Sequence, residues 1–348
     1  MRFENSITNK YCSKHMAFDI HYLHCSPETQ AEISAVIEQW QDLQPTYEVK
    51  TSGSTGTPKP ITLLRSQLEA SAKRSNAFFG LNEQARVFMC LSPHTIGGKM
   101  MLIRAMMGNY AIDITEASGN PEDHIPHGVT YSFVSLVPYQ IKRMLDETPE
   151  KLHQFDQVLL GGMGLSTQLE QQLETLKPRI YIGFGMTETV SHIAMRKMGN
   201  PVYEALDGVT LQAANDCLVI SDSMLGIQEM NTNDQVLFHG PNRFEWLGRA
   251  DFVINSGGIK IHPEALEQVI DPYVSVPFII GGVTDAAFGE RCILVVEQVL
   301  SETDFAQIQA IVSEKFGRYA IPKEQLVHPI LKTANGKIRR KEILNALK

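Results

Sequence analysis

The stretch Arg179-Ile180-Tyr181-Ile182-Gly183-Phe184-Gly185-Met186-Thr187-Glu188-Thr189 runs from an apolar, strand-like segment into glycines, hydroxyls and an acid. An earlier strand-like segment, residues 157–160, is followed in the same way by Gly161 and Gly162. A helix-like segment separates the two, and this alternation predicts helices packed on a largely parallel sheet. Ligands of such sheets collect at the carboxyl ends of the strands. Both glycine clusters are therefore predicted to border a ligand.

The alternation continues outward along the chain. Ser26-Pro27 opens a predicted helix with apolar residues at helical spacing, and Ser66 with Glu69 forms a predicted capping box for a helix that stops near Gly80. Further strands are predicted at residues 87–91, 110–114 and 131–136, with helices at 99–107, 139–145 and 168–176.

The sequence pattern changes after residue 200. Residues 201–247 are short β-like pieces with turn signals at Asp207-Gly208 and Asn215-Asp216. Beyond Gly248-Arg249 come a helix opened by Pro263-Glu264, strands at 278–283 and 293–296, and a helix at 305–316. The predicted fold class is α/β: a large N-terminal domain whose mostly parallel sheet is flanked by helices, a small β subdomain, and a small α+β C-terminal domain.

One loop is built to hold phosphate. It contains two glycines, whose backbone can approach an anion, several hydroxyls and one lysine: Thr51, Ser52, Gly53, Ser54, Thr55, Gly56, Thr57, Pro58, Lys59. It is not a Walker loop, because Thr-Pro follows the second glycine where that motif requires Lys. Taken alone, such a run is also typical of a flexible linker.

Composition narrows the function classes. The 348 residues are 43% hydrophobic and 20% charged, which is typical of a globular protein with room for two domains. A net charge of -8 argues against a general nucleic-acid or membrane-surface binder, so small-molecule partners are predicted. No run is long enough to span a membrane and no apolar signal core is present. The cysteines are odd in number and scattered: Cys12, Cys25, Cys90, Cys217, Cys292. Together with the lack of a membrane span and of a signal core, this pattern predicts a cytoplasmic protein.

Five separated motifs resemble, in order, those of the adenylate-forming (acyl-CoA synthetase) superfamily. They are the loop 51–59, the cluster 183–189, Thr232-Asn233-Asp234, Gly248-Arg249-Ala250-Asp251 and Thr333-Ala334-Asn335-Gly336-Lys337. The resemblance covers about residues 47–343 and implies binding of ATP, Mg²⁺ and a carboxylic acid, with CoA as co-substrate. The acid becomes an acyl-adenylate, and a thiol then displaces AMP.

The resemblance also implies roles for single residues. Thr187, Glu188 and Lys337 correspond to catalytic positions, with Glu188 binding Mg²⁺. The ATP site would comprise the loop 51–59, Gly161, Gly162, Gly183, Phe184 against the adenine, Gly185, Asp234 on the ribose and Arg249. Asp251 corresponds to a hinge, which implies a large domain at 1–248, a hinge at 249–251 and a small mobile domain at 252–348. Ser256, Gly257 and Gly258 would line the CoA channel.

A narrower resemblance, over residues 185–194 and Ser256-Gly257-Gly258, is to the o-succinylbenzoate–CoA ligases of menaquinone biosynthesis. It implies an aromatic dicarboxylic acid as substrate. His192, Lys99 and Arg104 are the candidate partners of that acid, although a structural histidine and a pair of surface cations are equally good explanations. Only 50 residues precede the phosphate loop, where the family usually has many more. We therefore expect a truncated N-terminal subdomain, with an acyl pocket that is more open or completed by another subunit of a homo-oligomer.

Two alternatives stay open at this level. An adenylating enzyme could load the thiol of a carrier protein instead of free CoA, and a docking surface would then be expected. A non-catalytic nucleotide-binding protein is the other alternative, and the presence of Lys337, Glu188 and Asp234 argues against it.

Overall fold

The computed structural model describes residues 7–13, 16–50, 60–161, 165–332 and 338–347, with side chains from Phe18 onward except that of Lys50. Its strands are β1 Ile7–Ser13, β2 Met16–Tyr22, β3 Thr46–Lys50, β4 Pro60–Leu64, β5 Arg86–Met89, β6 Ala111–Ile114, β7 Phe133–Leu136, β8 Gln157–Leu160, β9 Arg179–Gly185, β10 His192–Lys197, β11 Val202–Ala205, β12 Val209–Ala214, β13 Cys217–Asp222, β14 Ile227–Phe238, β15 Arg243–Arg249, β16 Ile254–Ser256, β17 Ile259–Ile261, β18 Phe278–Asp285, β19 Gly289–Val296 and β20 Gln325–Val327. Its helices are α1 Pro27–Gln41, α2 Arg65–Phe79, α3 Ile96–Gly108, α4 Pro138–Glu147, α5 Pro149–Leu152, α6 Thr167–Glu174, α7 Pro263–Ile270, α8 Glu302–Phe316 and α9 Arg340–Ala346.

The large sheet has the order β1-β2-β6-β5-β7-β8-β9-β10-β11-β15-β14-β13-β12 in the described residues. The run from β2 to β9 is parallel, and the strands from β9 onward pair antiparallel. A second sheet contains β16 to β20, and β3 pairs with β4 in a separate hairpin. The predicted fold class is confirmed: helices flank a parallel sheet, an antiparallel β region follows, and an α+β unit ends the chain.

Both faces of the parallel region are covered. On β5, Val87 and Met89 join the core formed with α1, α2 and α3, whereas Phe88 points into the core formed with α4, α5 and α6. Successive strand side chains alternate between faces, so a strand covered on both sides reads as an unbroken apolar run. Val158 and Leu160 on β8 are likewise fully or almost fully buried.

Two helix starts test the sequence reasoning. α1 begins as predicted, because the Ser26 hydroxyl accepts a hydrogen bond from the Thr29 N–H and the helix buries one apolar face. The predicted capping box at Ser66 and Glu69 is wrong: the N-cap lies two residues earlier, at Leu64, and α2 follows β4 directly. Gln67 accepts from the Leu64 N–H, and Glu69 instead pairs with Arg65 at 2.8 Å. The predicted stop at Gly80 is confirmed by its left-handed conformation, φ +65°.

The C-terminal sheet packs against the large domain. Thr167 on α6 donates to the Gln268 carbonyl at 2.8 Å, and Lys260 pairs with Asp216 at 2.9 Å. Gly248 on β15 lies under α7, where an added Cβ would be 2.6 Å from a carboxylate oxygen of Glu264. Among the described helices, none combines the length and apolar character needed to cross a membrane.

Candidate functional site

The glycine clusters lie at the carboxyl edge of the parallel strands. Gly161 follows β8 directly, and its N–H donates to the Leu136 carbonyl at 3.3 Å. The expectation that Gly183 and Gly185 follow a strand needs correction, because β9 continues through both and pairs with β10. An added Cβ at Gly185 would collide with the Ser191 backbone. These glycines therefore allow β10 to approach closely.

The turn after β9 presents Thr187 and Glu188. Thr189 is buried and fixes the turn, since its hydroxyl donates to the Met186 or Ser191 carbonyl and accepts from the Met186 N–H. Val190 follows at φ +65°, which is strained for a β-branched side chain. Thr189 was not singled out from the sequence, although the hydroxyl next to Glu188 was the available signal.

Glu188 is exposed at the tip of this turn, and no cation in the described part of the chain pairs with it. The described residues contain no group of three or more acidic, histidine or cysteine side chains that could hold a metal ion. A single free carboxylate fits Mg²⁺ that arrives with nucleotide phosphates, because that ion takes few protein ligands and keeps phosphate oxygens and waters. Glu188 is the described residue that would hold it there, and the ion would neutralise phosphate charge.

The structure brings together the predicted ribose and hinge residues. Asp234 and Arg249 face each other across β14 and β15, and Arg249 pairs with Asp251 at 2.7 Å. Asp234 is buried and accepts a hydrogen bond from the Trp246 indole at 2.9 Å. Burial raises the pKa of Asp234, and the hydrogen bond from Trp246 and the charge of Arg249 offset part of this increase. Trp246 was missed by sequence reasoning.

Phe184 packs into the β subdomain. Its ring centroid is 5.1 Å from that of Phe244 and 5.8 Å from that of Tyr203, both in edge-on arrangements. The side chain remains partly exposed, so one part of the ring is still accessible. A role against adenine stays a prediction.

His192 and Arg104 belong to one buried polar cluster. The His192 ring nitrogens lie 3.1 Å from the Ser75 hydroxyl and 3.2 Å from the Ser191 hydroxyl, and Ser191 also accepts from Arg104 at 2.9 Å. Burial, then the charges of Arg104 and Arg74, holds the pKa of His192 well below its usual range, so the imidazole is neutral.

Arg104 carries a buried charge that has no counter-ion among the described residues. Its side chain is 2% exposed, its Nε has no hydrogen-bond partner, and no carboxylate in the described residues pairs with it. Burial lowers its pKa to about 10, which still leaves the guanidinium charged at neutral pH. By contrast, Arg74 of the same cluster pairs with buried Asp222 at 2.7 Å. Neither Arg74 nor Ser75 was identified from the sequence.

Lys99 forms its hydrogen bond outside this cluster. Its ammonium donates to the Glu48 carbonyl on β3 at 3.2 Å, and burial lowers its pKa. The side chain is 9% exposed, so the alternative of a surface cation is wrong for both Lys99 and Arg104. The structure links Arg104, but not Lys99, to His192.

The predicted CoA residues form the turn between β16 and β17. Ser256 is buried, and Gly257 and Gly258 occupy the turn with φ +58° and +82°. Several predicted site residues lie outside the described residues: Thr51, Ser52, Gly53, Ser54, Thr55, Gly56, Lys59, Gly162 and Lys337.

Two surface depressions have volumes of about 440 and 400 Å³, and the second is lined in part by Arg74 of the His192 cluster. The first is lined by Gln157 and Arg179, the first residues of β8 and β9, and both share Phe78 and Tyr181. They are thus at the amino ends of the parallel strands, away from Gly161. Their size does not mark the predicted site.

Comparison with known proteins decides the family. The model of AMP-binding enzymes matches residues 24–247, which is more than half of the chain. The chain belongs to the AMP-binding enzyme family. A solved family structure, an acyl-CoA synthetase (AMP-forming)/AMP-acid ligase II-like protein from Dyadobacter fermentans, is 32% identical. It matches with a TM-score of 0.62 over 92% of this chain and 95% of that one.

Other similar members of the AMP-binding enzyme family carry a more specific name. The 2-succinylbenzoate–CoA ligase of Haemophilus influenzae is 25% identical over 341 residues, covering 91% of this chain and 74% of that protein. The Bacillus subtilis O-succinylbenzoate Coenzyme A synthetase, solved with ATP and magnesium ion, has a TM-score of 0.75 at 21% identity. That alignment covers 85% of this chain and 69% of the other. At this identity the structural match supports the fold.

Proposed function

We propose that this chain is an AMP-forming acid–thiol ligase that converts 2-succinylbenzoate (o-succinylbenzoate), ATP and CoA into the succinylbenzoyl thioester of CoA, AMP and pyrophosphate. The observation that carries the choice of acid is the buried guanidinium of Arg104, which has no counter-ion among the described residues and donates to Ser191 just after the Thr187–Glu188 turn. A buried charge without a partner costs several kcal/mol, so a substrate carboxylate is its natural counter-ion. The similar ligases named above support the same acid.

The neutral His192 sharpens the recognition. A charged imidazole would repel Arg104, whereas a neutral ring can hydrogen-bond both neighbouring hydroxyls. We infer that His192 holds Ser191, and through it Arg104, in place for the carboxylate that is not activated. Arg104 is then the residue that separates a dicarboxylic acid from a monocarboxylic one.

The remaining roles follow the motif order. Asp234 would accept the ribose hydroxyls, and its partner Trp246 would hold the carboxylate in position. Arg249 would face the phosphates, Phe184 the adenine, and Thr187 and Glu188 the phosphate–Mg²⁺ end of ATP. Lys337 and the loop 51–59 would stabilise charge on the phosphates as adenylation proceeds. The proposed hinge at 249–251 coincides with the change from the large sheet to the C-terminal sheet.

Acid-dependent pyrophosphate release from MgATP tests the acid. The panel contains 2-succinylbenzoate and two analogues that each lack one carboxylate: 4-oxo-4-phenylbutanoate and 2-butanoylbenzoate. We expect the full dicarboxylate to have a kcat/KM at least about 30-fold above either analogue, as for a charge-assisted hydrogen bond of roughly 2 kcal/mol. Equal rates with the dicarboxylate and one analogue would contradict the proposed acid.

The variant Arg104→Gln, assayed with the same acids, tests whether Arg104 provides the preference for the dicarboxylate. It should remove most of the preference for the dicarboxylate and leave kcat/KM for the still-active analogue within about threefold. Arg243→Gln, which removes an exposed arginine paired with Glu204, is the matched control and should keep the preference. An Arg104→Gln enzyme that still distinguishes the two acids would reject this role.

A further inference from the structure

The turn made by Gly257 and Gly258 rests against two aromatic rings. The Gly257 N–H donates to the Phe288 carbonyl at 2.8 Å. A Cβ added to Gly257 would lie 2.9 Å from the Tyr319 ring and 3.5 Å from that of Phe288. A molecule bound against this turn would therefore lie next to the Tyr319 and Phe288 rings.

These rings form a surface feature rather than part of a core. Phe288 is 43% exposed and Tyr319 half-buried, and their centroids are 6.2 Å apart in an edge-on arrangement. The Asp285 carboxylate accepts hydrogen bonds from the Ala287 and Phe288 N–H groups and so fixes the backbone that presents Phe288. We call Phe288, Arg318 and Tyr319 the aromatic shelf.

The aromatic shelf is positively charged. The Arg318 guanidinium donates to the Tyr319 hydroxyl at 2.9 Å and lies 4.8 Å from the centre of the Tyr319 ring. Residues 315–323 contain three cations, Lys315, Arg318 and Lys323, and no acid. Nearby Asp285 and Glu324 both pair with Arg291, and no described carboxylate forms an ion pair with Arg318. The exposed Arg318 guanidinium is therefore accessible to an anion.

We propose that the aromatic shelf binds the adenine nucleotide end of CoA, with the adenine on an exposed ring and the phosphates facing Arg318. The proposal rests on the proposed function, which makes CoA the thiol substrate and Gly257-Gly258 the path of its pantetheine arm. A flat base and several phosphates match an exposed ring beside a guanidinium, since bases stack on aromatic faces and arginine binds phosphate in a fork geometry. A carrier protein would offer the same arm without the nucleotide. The aromatic shelf thus favours free CoA as the acceptor.

Thioester formation measured against three thiols tests the site. The thiols are CoA, 3′-dephospho-CoA and pantetheine, and the proteins are wild type, Phe288→Ala, Arg318→Gln and the control Val327→Ala, which truncates an exposed side chain of the same domain. Phe288→Ala should raise KM for CoA about tenfold and leave KM for pantetheine unchanged. Arg318→Gln should reduce the preference for CoA over pantetheine by a similar factor. Val327→Ala should behave as wild type.

Two results would overturn the proposal. An equal loss with CoA and pantetheine would show that the aromatic shelf only supports the turn, and unchanged kinetics in both variants would show that CoA does not contact it. A holo-acyl carrier protein preferred over CoA by the wild type, and lost in the variants, would assign the aromatic shelf to a protein partner and also contradict the proposal.

Direct binding keeps this inference separate from the choice of acid. CoA and pantetheine are titrated into the protein by calorimetry without any acid, while pyrophosphate release without CoA is measured separately. CoA that binds wild type at least about tenfold more tightly than Phe288→Ala supports the aromatic shelf even if 2-succinylbenzoate is not adenylated. Normal adenylation with equal CoA affinity in both proteins would leave the proposed acid standing and reject the aromatic shelf.

Discussion

Two buried arginines, one on α9 and one on α3, have opposite surroundings. Arg340 on α9 makes two hydrogen bonds to the Glu267 carboxylate, at 2.6 and 2.7 Å, and donates to the Ile280 carbonyl. Arg104 on α3, which is also buried, reaches one hydroxyl and no described carboxylate. The first arginine has its counter-charge inside the fold, whereas the second has none among the described residues, and we propose that a substrate carboxylate supplies it. The proposed acid site therefore rests on a buried cation without a described counter-ion and not on a surface depression.

The largest expected loss of folding stability comes from substituting Arg340. Arg340→Gln leaves the Glu267 carboxylate without its counter-charge in a largely buried site, and breaking such a pair costs about 3–5 kcal/mol. Denaturant unfolding of the full chain measures this loss. Arg339→Gln removes a neighbouring arginine whose pair with Glu342 is exposed, and it should cost less than about 1 kcal/mol. Equal losses in the two variants would mean that Arg340 is not the structural member of the comparison.

A medium effect is expected from His192 as the pH falls. Its pKa is lowered in the folded protein, so below about pH 6.5 the unfolded chain binds a proton that the folded chain does not, and stability falls as the pH drops. His192→Gln should reduce this slope by up to about 1.4 kcal/mol per pH unit. The measurement is the free energy of unfolding by denaturant, taken at several pH values from about 7.5 down to about 5.

The His192 experiment has an internal control. His239 is half-exposed beside Glu245, and the slope of His192→Gln is compared with that of His239→Gln, a matched substitution outside the buried cluster. A His192→Gln protein whose slope matches wild type would show that the folded protein binds the His192 proton as readily as the unfolded chain does. The cluster would then have no neutral ring between its two arginines.

The smallest expected effect is on the stability of the Arg104 variant. Arg104→Gln removes a buried charge that no described acid offsets, so we expect a free energy of unfolding within about 1 kcal/mol of wild type, or slightly higher. A loss as large as that of Arg340→Gln would place Arg104 among the structural arginines. The comparison between the two domains would then fail, whatever the acid specificity.

Several elements could be predicted from local sequence because local chemistry decides them. The strands at residues 157–160 and 278–283, the Ser26 cap and the Gly80 stop all depend on apolar runs, a hydroxyl and a glycine that act within a few residues. The capping box at Ser66 was wrong because β4 leads directly into α2, which places the N-cap two residues earlier, at Leu64. Arg65 is held there by its position 3.8 Å above the Trp40 ring, a contact with another helix.

The amino-acid sequence by itself determined the alternation of strands and helices, the order of the motifs and hence the family, since these depend on residue type and spacing along the chain. Only the tertiary structure decided which polar groups meet. It joined Ser75, Ser191 and His192 to Arg104, placed Lys99 on the Glu48 carbonyl, and set Phe288 beside Tyr319. Such contacts connect residues far apart in the chain, and the burial that gives a charge its cost is a property of the packed protein alone.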